Sequence, residues 1–296
     1  MDDDLCFTPA VGLAGLLRSR ELSARELLSA YLHRIHRVNP RLNAIVSLAE
    51  EQAAQSAAAA DDAAARGTLL GPLHGLPIAV KDLADTAGIR TTYGSPLFAD
   101  HVPDADAPYV ALLRAAGAVI LGKTNTPEFG AGSQTFNPVF GVTRNPWDLR
   151  MTAGGSSGGA AAAVAAGLVP FADGSDLAAS VRNPAAMCGV IGLRTTPGLI
   201  PAVDPMRDDV FDPQAVIGPI ARSPADAALL LSALRGRDPG FPLARPGADG
   251  AAEAGWAAGR RPADLTGLRI AWSADLGGLP VEPERSEEHT SELQSQ

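Results

Sequence analysis

Histidine and cysteine are scarce in this chain, and each shortage narrows the chemistry open to it. The two cysteines, Cys6 and Cys188, are too few for a disulfide scaffold, so a reducing, cytoplasmic setting is the expectation. The five histidines sit where no partner serine would need them: His33 and His36 fall in a polar helix, His74 precedes a turn glycine, and His101 stands before Val-Pro. His289 lies in an atypical C-terminal segment. No Cys/His cluster with ligand spacing occurs, so neither a metal nor an organic cofactor is expected. A basic-then-apolar leader is lacking, and the longest small-apolar run, 158–172, is too short for a membrane span and reads as a buried helix. A formal net charge of -9 argues against nucleic acid as a partner.

What the chain does have is enough apolar material for a large core. At 296 residues, 46% hydrophobic and 19% charged, it reads as one large globular domain. Leu13, Leu16 and Leu17 share a helical face. Ser23 and Glu26 then form a capping-box pattern ahead of a helix through about Val38, ended by Asn39-Pro40. Residues 48–66 read as a third helix. From Gly71 the pattern becomes strand, helix, strand, with 76–81 and 118–122 as buried strands around a helix over 107–116, which predicts an α/β architecture with parallel strands. The segment 124–150, long and rich in Asn, Pro, Phe and Gly, reads as a loop that shapes a site. Further on, Ser223-Pro224 caps a helix to Leu234, residues 236–264 read as flexible surface, and 268–273 as a last strand.

The stretch 152–194 organises the rest. It opens with the turn Gly154-Gly155-Ser156-Ser157-Gly158-Gly159, passes into an alanine-rich helix, and returns through a second turn bearing Ser180. A serine hydroxyl is a weak nucleophile until a base takes its proton. With no suitable histidine, Lys81 at the end of an apolar run is the better partner, because burial turns lysine into a base. The competing reading of glycine before a helix, a phosphate loop, lacks the Gly-Lys-Ser/Thr that would hold nucleotide.

Three blocks carry a resemblance to a known family: LHGLPIAVKDLADTAG, then TNTPEFGAGSQTFNPVFGVTRNPWDLRMTAGGSSGG, then GSDLAASVRNPAAMCGVIGLRTTPG. Their order and spacing make the chain similar to the amidase signature hydrolases. The resemblance implies an α/β fold with a central mixed sheet flanked by helices, and hydrolysis of a carboxylic amide through an acyl-serine. By position, Ser180 matches the nucleophile, Ser156 the proton-relaying serine preceded by a cis peptide bond, and Lys81 the neutral base. Backbone N–H groups of Leu177, Ala178, Ala179 and Ser180 match the oxyanion hole. Asp176 and Arg182 match residues that brace the loop, and Ser157 is a hydrogen-bond partner beside Ser156. A small-molecule amide, no nucleic acid and no membrane follow as partners, with a homodimer left open.

Two departures stand out. Ala178-Ala179 replace a common Gly-Gly, and both alanines are expected at negative φ with a narrower acyl pocket; a required positive φ would distort the oxyanion hole instead. Ala153 replaces a common proline. Alternatives are the glutaminase component of a tRNA-dependent amidotransferase, from whose usual form the GSDLAAS loop departs, and an inactive homologue or fragment. Finally, RSEEHTSELQSQ resembles a translated sequencing adapter, so 1–284 is expected to be a partial domain and 285–296 a non-native tail.

Overall fold

The computed structural model describes residues 3–201 and 214–236, with 267, 269, 273, 275 and 277–280. The expectations for the tail and for nearly all of 236–264 and 268–273 therefore lie outside the described residues. The chain divides into two compact units, Met1–Gly259 and Arg260–Gln296. In the second, Asp275 closes a turn by accepting the N–H groups of Gly277 and Leu279.

In the first unit, α1 (Asp3–Phe7), α2 (Ala10–Ser19) and α3 (Ala24–Leu42) precede β1 (Ile45–Leu48) and α4 (Glu50–Ala65). The capping box that starts α3 is complete: Ser23 Oγ accepts the Glu26 N–H at 3.1 Å, and Glu26 accepts the Ser23 N–H at 2.9 Å. The far end differs from expectation, because Pro40 lies inside the helix. In the last turn a proline removes only one intrahelical bond. Asn43, left-handed at φ 55°, then closes α3 by donating to the Asn39 carbonyl at 2.7 Å. The Asn39 side chain does the steering, accepting the Ala44 and Ile45 N–H groups and donating to the Ile45 carbonyl.

Next come β2 (Pro77–Lys81), α5 (Pro108–Ala115), β3 (Val119–Thr124) and a separate ribbon of β4 (Phe136–Asn137) with β5 (Gly141–Val142). They are followed by α6 (Gly158–Ala165), β6 (Phe171–Asp176), α7 (Arg182–Cys188), β7 (Ile191–Gly192), β8 (Val216–Ala221) and α8 (Pro224–Leu234). Six strands form one mixed sheet in the order β1-β3-β2-β6-β8-β7. Its centre, β3-β2-β6, is parallel, while β1, β8 and β7 join antiparallel. The α/β expectation holds, and every residue of β2, β3 and β8 is buried.

The run 158–172 is not a single helix. The α6 helix stops at Ala165, Gly167 takes φ 67°, and the Leu168 N–H folds back to the Ala163 carbonyl at 2.8 Å. That is a helix-ending turn, and Pro170 and Phe171 then lead into β6. The small residues of α6 serve close approach: a Cβ on Gly159 would lie 2.3 Å from the Asn125 nitrogen. The helix that starts at the Ser156 turn is thereby pressed onto the end of β3.

Candidate active site

Strand β2 ends at Lys81, whose side chain is 1% exposed. Its Nζ lies 2.7 Å from Ser156 Oγ, 2.9 Å from Ser157 Oγ and 2.9 Å from Ser175 Oγ. Burial pulls the Lys81 amine down to about 7, against the opposing charges of Asp173 and Asp176. Desolvation disfavours an ammonium, and three hydroxyls replace only part of the lost water. The serine-rich turn and β6 thus give the lysine amine hydroxyls alone as hydrogen-bond partners.

The turn itself is held from the loop 124–150. Thr135 Oγ1 donates to the Gly154 carbonyl at 2.8 Å and accepts the Gly158 N–H at 3.0 Å. The Gly155–Ser156 peptide is cis. Ser156 and Ser157 are 2% and 0% exposed, and the Ser157 N–H donates to the Ser180 carbonyl at 3.1 Å. One backbone bond therefore ties the two serine turns together. Ser180 itself is half-buried, and its hydroxyl has no hydrogen-bond partner among the described residues.

Asp176 at the end of β6 shapes the loop that carries Ser180. Fully buried, it accepts the N–H groups of Ala179 (2.9 Å), Val181 (3.2 Å) and Arg182 (3.4 Å). The Arg182 guanidinium binds it at 3.0 and 3.1 Å, and Arg194 adds a contact at 3.0 Å. Burial pushes this carboxyl up, but the Arg182 hydrogen bonds and the amides outweigh it and hold it at about 2. Six donors on one carboxylate make a rigid loop.

That loop corrects one expectation. Ala178 keeps a negative φ, but Ala179 is left-handed at φ 68°. An L-residue there carries roughly 1–2 kcal/mol of strain, and the Asp176 bond to its N–H offsets it. The positive φ is adopted, so alanine has not displaced the loop from a conformation that glycine would accept freely. The same bond commits the Ala179 N–H inward. The amides of Leu177, Ala178 and Ser180 have no acceptor among the described residues, so three of the four expected oxyanion donors are unoccupied.

The structure brings Lys81, Ser156 and Ser157 into direct contact, joins Ser180 to them through backbone, and places Asp176 and Arg182 beneath the Ser180 loop. It also adds residues that the sequence pattern did not single out. Ser175 contacts the Lys81 amine. Asp173 accepts the Lys81 backbone N–H at 3.1 Å and the Tyr109 hydroxyl at 2.8 Å. Lys123, also fully buried, donates to the Ala84 carbonyl, to Thr86 Oγ1 at 2.8 Å and to Thr91 Oγ1 at 3.0 Å. The available signal was the composition of β6, FADGSD, three of whose six residues are polar in a strand at the sheet's centre. Among the described residues no cluster suited to a metal ion occurs, and no helix is long and apolar enough to cross a membrane.

Comparison with known proteins identifies the family. The Amidase family profile matches residues 26–295. An acylamidase of Rhodococcus erythropolis is 44% identical over 283 residues, which cover 96% of this chain and 58% of that protein. The A subunit of the glutamyl-tRNA(Gln) amidotransferase of Moorella thermoacetica is 47% identical over 236 residues, 80% of this chain and 48% of that protein. Among solved structures, the native peptide amidase of Stenotrophomonas maltophilia superposes with a TM-score of 0.75 at 39% identity, over 81% of this chain and 51% of that one. The chain thus spans about half the length of the relatives it matches. Its blocks, its mixed sheet and these likenesses together show that the chain belongs to the amidase signature family.

Proposed function

We propose that this chain carries the catalytic half of an amidase that hydrolyses the C–N bond of a small-molecule carboxylic amide through an acyl-serine. The observation that supports the reading best is the amine of Lys81, buried, bound to hydroxyls only, and brought to about 7. A neutral amine has two N–H donors and one lone pair. It can donate to Ser157 and Ser175 while accepting the Ser156 O–H, which leaves Ser156 Oγ free to accept a proton from Ser180. Ser180 Oγ then attacks the amide carbonyl, its proton passes to Ser156, and the Ser156 proton passes to Lys81.

The developing oxyanion meets the amides of Leu177, Ala178 and Ser180; losing one such donor costs about 3–4 kcal/mol in comparable sites. Collapse breaks the C–N bond as Ser156 protonates the departing amine and recovers its proton from Lys81. Water then attacks the acyl-serine by the same relay and releases the acid. A fluorophosphonate probe tests the reading: labelling is expected in the wild type and lost in Ser180→Ala. Labelling that persists in that variant would contradict the assignment. The likeness to part of a glutamyl-tRNA(Gln) amidotransferase supports a second reading, glutamine hydrolysis that needs partner proteins. Turnover of simple amides by the isolated full-length enzyme separates the two.

A further inference from the structure

Lys81 and Lys123 are the only lysines among the chain's 24 basic residues; all the others are arginine. Both are fully buried on neighbouring strands, where Val80 pairs with Lys123 and Lys81 with Thr124. Asp173 on β6, the other neighbour of β2, is equally buried. One of its carboxylate oxygens takes the Lys81 backbone N–H and the other takes the Tyr109 hydroxyl.

A dry carboxylate persists as an anion only with donors or cations to stabilise it. Burial pushes the Asp173 carboxyl up, opposed by Tyr109, the Lys81 N–H and the charges of Lys123 and Lys81. The other charged groups around Lys81 are already matched. Asp176 is bound by Arg182 and Arg194. Asp82 accepts from the Thr92 N–H and hydroxyl and acts on Lys123, and Asp85 accepts from the Tyr93 hydroxyl. Of the two carboxylates whose charges act on Lys81, Asp173 and Asp176, Asp173 is the one that has no arginine of its own among the described residues.

We propose that Asp173, clamped by Tyr109, is a positioning residue for Lys81, fixing the lysine backbone at the end of β2 and supplying the buried negative charge against which its amine gains and loses a proton. The proposal rests on the reading of Lys81 as the base. A relay base must take up a proton during acylation and give it back. Burial alone would leave the amine neutral and its conjugate acid too unfavourable to form. A nearby anion corrects this by favouring the ammonium.

The sign of the effect gives the test. Asp173→Asn keeps the shape and removes the charge, so Lys81 should lose its proton at lower pH. Lysine labelled with ¹³C at Cε in the full chain gives two side-chain resonances, assigned with Lys123→Arg. The Lys81 midpoint, about 7 in the wild type, is expected to fall by about one pH unit in Asp173→Asn. Tyr109→Phe leaves the carboxylate one donor, favours its protonated form and should move the midpoint down by less. A purely structural role would move neither. An unchanged midpoint in folded Asp173→Asn overturns the proposal, as does an unchanged midpoint in Tyr109→Phe if the asparagine variant does not fold. Fluorophosphonate labelling of the same samples reports separately on the base reading. If the wild type shows the titration but no labelling, the proposed function fails and the role of Asp173 stands.

Discussion

Two lysines lie side by side in one sheet, equally buried, and their hydrogen-bond partners separate them. Around Lys123 both threonine hydroxyls have already given their protons away, Thr86 to the Ala84 carbonyl and Thr91 to the Ile89 carbonyl. The third partner is itself a carbonyl. All three contacts therefore need an N–H from the lysine, and only the ammonium has three. Around Lys81 only Ser157 has spent its proton, on the Ser175 carbonyl; Ser156 and Ser175 can each donate or accept. Lys81 can lose a proton without losing a hydrogen bond, whereas Lys123 cannot. Burial lowers both, to about 7 and about 8, so burial alone does not choose the base. The partners do.

The sharpest way to break this comparison is to remove each amine. Lys123→Met leaves a carbonyl and two hydroxyls buried without their donor, and is expected to lose about 3–5 kcal/mol in urea unfolding. Lys81→Met leaves hydroxyls that can pair with one another, so it should abolish probe labelling with a stability change of about 1 kcal/mol or less. Equal losses of stability would remove the distinction. Asp176→Asn comes next: it strips the charge from six donors and should cost about 2–4 kcal/mol while slowing labelling, because the Ser180 loop loosens.

The pH dependence sharpens the same contrast. Lys81 binds its proton less tightly folded than unfolded, with about 7 against an ordinary 10.5, so the unfolded chain holds a proton that the folded chain releases. This group opposes folding fully below about pH 7, and the opposition fades as pH rises to about 10.5. Asp176 has the reverse sign: at about 2 against 3.8, its contribution is present above 3.8 and is lost as pH falls through about 2. Chemical denaturation across pH should therefore show stability rising on both the acid and the alkaline arms. Labelling of Ser180 should climb about tenfold per unit toward pH 7 and then level. The smallest effect is expected at Ala179: glycine there should add about 0.5–1 kcal/mol, since it relieves the strain of a positive φ at some cost in chain entropy.

The residues that the sequence made legible are those whose role is written in local blocks. Lys81 ends an apolar run, Ser156 sits in a glycine turn and Ser180 follows Asp176 at short range, so their spacing identifies them. Asp173, Tyr109, Ser175 and Lys123 act through contacts made across strands; the polar composition of β6 marks Asp173 and Ser175 as unusual, but no neighbouring residue announces the partners. The Tyr109–Asp173 bond joins residues 64 apart. Helix ends failed for a related reason. Pro40 reads as a stop until Asn39 and Asn43 are seen gripping the chain beyond it. The run 158–172 reads as one helix because its composition hardly changes, although Gly167 and Pro170 divide it. The φ of Ala179 was hidden because the buried carboxylate of Asp176, rather than the alanine itself, sets it.

The most direct test of the distinction between the two lysines is the ¹³Cε titration of the wild-type chain, which holds only two lysine resonances. The Lys81 signal is expected to turn over near pH 7 with that of Lys123 following at higher pH, and the Lys81 transition to coincide with the rise in Ser180 labelling. A Lys81 transition near 10, or Lys123 deprotonating first, would contradict that distinction.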